Sequence, residues 1–145
     1  DIDAAVLALG DAYPEKTIIL HCTSAYPTQL TDVNLNRMIR LKETYETTFG
    51  FSDHTEGSQS AVQAVTLGAS VIEKHFTLSR SLKGPDHQAS LEPDELTQMV
   101  SVIRKIEIAL GDGIKRPTPS EFGNRVVSRK SIVAARSINS GEGHV

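Results

Sequence analysis

Apolar residues along the chain fall into short dense runs separated by longer stretches of wider spacing. TIILHC at 17–22 is a compact, β-branched run fenced by Pro14 and Pro27, the pattern of a buried strand. TTFGFS at 47–52 and SVIEKHF at 70–76 are strand-like as well. Between them the period lengthens. Val33, Leu35, Met38, Ile39 and Leu41 lie near helical intervals, which predicts a helix over 32–46 with Asp32 as its N-cap. Residues 57–67 predict a helix of small side chains that stops before Gly68, a C′ glycine. Residues 2–9 predict a short helix broken by Gly10 and Pro14. The clearest helix is 93–110, with Pro93 in its first position, Asp94 and Glu95 in the first turn and Gly111 past its end.

Strand and helix thus alternate three times, which predicts an α/β fold with a parallel sheet and helices outside it. Three units are too few to close an eight-stranded barrel. The chain therefore reads as part of one, with earlier strands upstream of Asp1. After Gly111 the texture changes. Residues 112–124 (DGIKRPTPSEFGN) mix prolines, glycines and scattered charge, as a linker does. Residues 126–138 return to β-branched alternation, and NSGE at 139–142 has the composition of a turn.

Composition narrows the class. With 145 residues, 39% hydrophobic and 23% charged, the chain is expected to be soluble and to bury a real core. A formal charge of −3 argues against nucleic acid or an anionic membrane as the main partner. No apolar run approaches the roughly 20 residues that span a bilayer. The single cysteine, Cys22, excludes an internal disulfide and fits a reducing, cytoplasmic setting.

The polar residues at the strand ends carry the candidate chemistry. One strand ends in Ser52-Asp53-His54 and the next in Glu73-Lys74-His75. Side chains alternate faces, so Ser52, His54, Glu73 and His75 share one face while Asp53 and Lys74 point the other way. Neighbouring strands lie about 5 Å apart, so two histidines at one level can reach one metal ion. Barrel enzymes keep their active sites at this carboxyl end. Imidazole pairs with oxygen donors suit Mn, Fe, Co or Zn. His21 has the opposite parity to Ser24 and reads as structural. Cys22 shares the face of Ser24 and reads as a buried, inert thiol. The turn Lys83-Gly84-Pro85-Asp86-His87 can aim Asp86 and His87 inward, and Arg80 and Lys83 can either meet a phosphate or stay solvated.

Five strings occur in order: HCTSAYP (21–27), FSDHTEG (51–57), IEKHFTL (72–78), GPDHQASLEPDEL (84–96) and SRKSIVA (128–134). Together they resemble the N-acetylneuraminate (sialic acid) synthase family, which includes synthases of legionaminic acid, pseudaminic acid and spore-coat sugars. The resemblance covers about residues 17–142. It implies the C-terminal half of a (β/α)8 TIM barrel in residues 1–111, with strands six to eight at 17–24, 48–53 and 70–76. A linker at 112–124 and the start of an antifreeze-like SAF domain at 125–145 would follow. It implies a divalent metal on His54 and His75, commonly Mn, with Mg or Co as alternatives. Ser52 and Glu73 would line the phosphoenolpyruvate and metal site, and Ser24, Tyr26 and Asp86 would contact the acceptor sugar. Some members carry Asn where this chain has Ser24. The implied reaction joins C3 of phosphoenolpyruvate to the aldehyde carbon of an N-acetylated hexosamine such as N-acetylmannosamine. Water adds at C2, and C–O cleavage releases phosphate. Glu73, His54 and His75 would be the catalytic residues. The parent would be a homodimer, with an arginine reaching each site from the partner's SAF domain, and this segment alone would be inactive. Two other readings remain open at this point, a different metal-dependent barrel enzyme and a non-catalytic sugar-binding scaffold.

Overall fold

The computed structural model describes residues 1–143. His144 and the last residues of the expected SAF segment lie outside the described residues. Three strands, β1 (Ile18–Cys22), β2 (Thr48–Asp53) and β3 (Val71–Lys74), form one parallel sheet in the order β1-β2-β3. Each crossover carries helix: α2 (Leu30–Val33) and α3 (Asn36–Thr44) between β1 and β2, and α4 (Gln59–Thr66) between β2 and β3. Helix α1 (Ile2–Leu9) precedes the sheet, and α5 (Pro93–Leu110) and α6 (Phe122–Ser128) follow it.

Parity decides which face is buried. Phe49 and Phe51 of β2 turn toward the helices and pack with Val33, Met38, Ala64 and Ala69. Removing a side chain such as Phe51 from water stabilises the fold by about 2–3 kcal/mol. Ala61 and Ala64 are fully buried, so α4 approaches the sheet closely. A second cluster joins α4 to α5 through Ala61, Leu91 and Met99. The other face of the sheet is tiered by register. Leu20, Gly50 and Val71 align across the strands, and Cys22, Ser52 and Glu73 form the next tier toward the carboxyl ends.

Helix α5 matches its local signals. Glu92 is the N-cap, Pro93 follows, and Glu92 and Glu95 close a reciprocal capping box. The Glu92 backbone N–H, and after it the Arg80 guanidinium, hold the Glu95 carboxyl below the ordinary carboxylate range. Gly68, with φ 96°, follows the end of α4 as expected.

Three elements differ from the sequence reading. The single helix expected over 32–46 is two, because Asn34 adopts φ 45° between them. Asparagine tolerates that left-handed conformation better than most residues. The break also leaves the Val33 carbonyl to accept a hydrogen bond from His21 Nε2 at 2.7 Å. Strand β3 stops at Lys74, not 76. Beyond it the chain turns to a new neighbour, with Phe76 bridging Leu91. The alternation at 126–138 forms no strand among the described residues. Thr118 and Glu121 close a second capping box around Pro119, and the chain runs from there into α6, where Val126 and Val127 are exposed. A strand without a partner has nothing to pair with, whereas a capped helical start is a local signal.

Two compact units result, Asp1–Gly111 and a second from Asp112 onward. In the second unit none of the described residues is buried. Among the described residues no helix is long and apolar enough to cross a membrane.

Candidate active site at the strand ends

The register of β2 and β3 sets Ser52 opposite Glu73, and Asp53 opposite Lys74. On the tiered face, Ser52 Oγ donates to Glu73 Oε1 at 2.6 Å. Two residues further, the rings of His54 and His75 meet edge to face with centroids 5.2 Å apart. Tyr26, from the loop after β1, stacks on His75 at 4.2 Å and meets His54 edge-on at 5.5 Å. Its hydroxyl donates to the Asp86 carbonyl at 3.0 Å, which the Ser90 hydroxyl also reaches at 2.6 Å. The Asp86 carboxylate lies 3.9 Å from His75 Nδ1. Two loops and two strand ends thereby converge on one imidazole pair.

The protonation of His54 follows from its partner. Its Nδ1 lies 3.0 Å from the Thr23 carbonyl, which can only accept. Nδ1 therefore carries the proton, and in the neutral ring Nε2 keeps its lone pair. A backbone carbonyl or carboxylate behind the far nitrogen is the usual support of a metal-binding histidine; the Thr23 carbonyl has that place behind His54, while the Asp86 carboxylate approaches His75 without a hydrogen bond. Among the described residues no group of three or more His, Cys, Asp or Glu is arranged to hold a metal. Imidazole nitrogens completed by water or substrate oxygens are a donor type that divalent transition metals accept.

Of the residues expected here, Ser52, His54, Glu73, His75, Tyr26 and Asp86 are brought together. Ser24 is exposed on the same loop, and among the described residues no hydrogen bond engages its hydroxyl. His21 faces the helices, buried and stacked on Phe51. Cys22 corrects the sequence reading. The thiol is exposed, with Sγ 3.9 Å from His54 Nδ1, because its parity turns it to the uncovered face of the sheet. His87 turns away to Thr77, its Nδ1 2.7 Å from that hydroxyl. Arg80 pairs within the protein. Its guanidinium is taken by Glu95 at 2.6 Å and the Ser90 carbonyl at 3.1 Å. The contact that sequence reasoning missed is the ion pair between Lys74 and Asp53. Parity put both on the far face, but only the register makes them partners.

The described sheet is a parallel α/β sheet, a class in which the carboxyl ends of the strands are the usual place for ligands, and here they carry a histidine pair, a hydrogen-bonded carboxylate and a tyrosine. Within that class, the chain belongs to the NeuB family, whose model matches residues 1–115. It is 47% identical over 137 residues to the N,N'-diacetyllegionaminic acid synthase of Campylobacter jejuni, covering 94% of this chain and 41% of that protein. Among solved structures, it is similar to the N-acetylneuraminic acid (sialic acid) synthetase of Leptospira borgpetersenii in complex with citrate. That match has a TM-score of 0.68 and 40% identity, over 79% of this chain and 41% of that one. It is also similar to a spore coat polysaccharide biosynthesis protein of Bacillus subtilis, with a TM-score of 0.72 and 38% identity over 83% of this chain and 34% of that one. The chain spans about two fifths of the length of the curated relatives it matches.

Proposed function

We propose that the full protein carrying this segment condenses phosphoenolpyruvate with an N-acetylated amino sugar and water, releasing phosphate and a nonulosonic acid. The observation that carries this reading is the convergence of His54, His75 and the Ser52–Glu73 pair at the ends of adjacent parallel strands. His54 and His75 would hold a divalent metal, Mn foremost, His54 through the Nε2 that the Thr23 contact leaves free. Bound there, such a cation supplies Lewis-acid polarisation of the acceptor aldehyde. Glu73, fixed by the Ser52 hydroxyl, accepts the proton of the water that adds at C2. Tyr26 keeps the His75 ring in place by stacking, and the exposed Asp86 carboxylate receives sugar hydroxyls. Ser24 faces the acceptor from the β1 loop.

In the same reading, β1, β2 and β3 are strands six to eight of a (β/α)8 barrel, and residues from 125 begin an SAF domain after a linker. The protein works as a cytoplasmic homodimer. N-acetylmannosamine is the first acceptor to try and bis-acetamido hexoses are the second, and the likeness to an N,N'-diacetyllegionaminic acid synthase supports including the latter.

The test is phosphate release from phosphoenolpyruvate by the full-length protein with each acceptor, with and without Mn. Metal-dependent release is expected, falling at least about 100-fold in His54→Ala and in His75→Ala. Release at full rate by the metal-free protein, or by both variants, would overturn the metal assignment. No release with any acceptor would overturn the synthase reading.

A further inference from the structure

Asp53 and Lys74 lie on the face of the sheet away from the cluster, with side chains 0% and 4% exposed. Lys74 Nζ sits 3.0 Å from Asp53 Oδ2. The same ammonium donates to the Thr55 carbonyl at 2.7 Å and reaches the Asp53 carbonyl at 3.5 Å. The other Asp53 oxygen accepts the Thr55 backbone N–H at 2.9 Å and its hydroxyl at 2.8 Å. Asp53 and Thr55 flank His54, and Lys74 immediately precedes His75. One ammonium therefore grips the backbone on both sides of one histidine from the residue adjoining the other.

Tyr26 packs against both rings, but among the described residues no other hydrogen bond joins the segment of His54 to that of His75 past the end of the ladder. The β2–β3 ladder ends with the pair Asp53 and Lys74. Past it, each histidine carbonyl is held by a different loop, His54 by the Thr28 N–H at 2.8 Å and His75 by the Leu91 N–H at 3.0 Å. Stability alone does not explain the pair. Burying two charges costs desolvation that an apolar pair of equal volume avoids. What the charges supply is directional bonding across the gap where the ladder stops.

We infer that Asp53 and Lys74 are positioning residues that fix the spacing and mutual orientation of the His54 and His75 imidazoles for a shared divalent cation. This rests on the metal reading above, and the test separates the two. In the full-length protein, Mn binding is followed by the loss of the free-ion paramagnetic resonance signal, with folding followed by circular dichroism. The variant is Asp53→Asn with Lys74→Met, which removes both charges together and leaves no unpaired one. It is expected to fold and to bind Mn about 10- to 100-fold more weakly, the range for lost supports behind metal ligands. His54→Ala is expected to lose Mn binding. Wild-type affinity in the double variant, with binding lost in His54→Ala, overturns the positioning role. Binding unchanged in His54→Ala, or absent from the wild type, overturns the metal reading instead. Should the double variant fail to fold, Thr55→Val removes only the hydroxyl bond to Asp53. It is expected to weaken Mn binding several-fold, and unchanged affinity there overturns the inference equally.

Discussion

Glu73 is exposed yet oriented, because the Ser52 hydroxyl holds one of its oxygens at 2.6 Å. Its second oxygen is left to accept a proton. Glu73→Gln keeps the shape and the bond from Ser52 but cannot act as a base. The expected result is a kcat lower by about 100-fold or more, with little change in KM for phosphoenolpyruvate. Steady-state phosphate release measures both, and a wild-type kcat would remove Glu73 from the chemistry. At this scale the sequence was readable where strand parity applied. Ser52, His54, Glu73 and His75 were grouped by alternation alone, and His21 was sent to the helix side by the same rule. Parity failed for Cys22 only in its second half. The face was right, but whether a face is covered depends on elements distant in sequence, and here the thiol is exposed. The partners of Arg80 and His87 were invisible for a related reason: His87 folds back within its own loop to Thr77, Arg80 reaches across to Glu95 in the first turn of α5, and no periodicity marks either pairing.

The spacing of β2 and β3 depends on a missing side chain. A Cβ at Gly50 would sit 2.3 Å from the Val71 carbonyl oxygen and 2.7 Å from Leu20 Cδ2. Leucine can shift its tip, but the carbonyl belongs to the neighbouring strand and can yield only by opening the ladder. Gly50→Ala is therefore expected to cost about 1–3 kcal/mol or more, read as a lower urea midpoint. An unchanged midpoint would show that the strands have room to part. Elements with complete local punctuation were the ones legible in advance. Helix α5 carries its proline in its own first turn, with its cap and its closing glycine immediately beside it. The division of α2 from α3 was not legible, because apolar spacing continues through Asn34 and only its positive φ marks the break. The same limit applies to Val126 and Val127, whose β-branching suggested a strand while the deciding signal, the box at Thr118 and Glu121, lay several residues upstream.

As a whole, the described chain divides where the linker composition begins, with a packed sheet before Asp112 and no buried residue after it. Brief trypsin treatment of the 145-residue chain is expected to cut first after Arg125, Arg129 or Lys130, all exposed, and to leave the Asp1–Gly111 unit intact by mass spectrometry. Equally fast cutting at Lys74, whose side chain is 4% exposed, would contradict that division. Strand alternation gave the parallel order and the carboxyl-end grouping, since both follow from local pattern and handedness. It gave no account of what lies over the tiered face, because that depends on atoms far along a chain. The tiers themselves have a consequence. A molecule entering from the histidine end passes two imidazoles, then a storey of thiol, hydroxyl and carboxylate at Cys22, Ser52 and Glu73. Below that it meets only hydrocarbon and bare backbone at Leu20, Gly50 and Val71. That lower storey is a floor: a charged group that sank one step further would leave every polar partner above it, so the tiers would gauge the depth of a ligand bound as proposed.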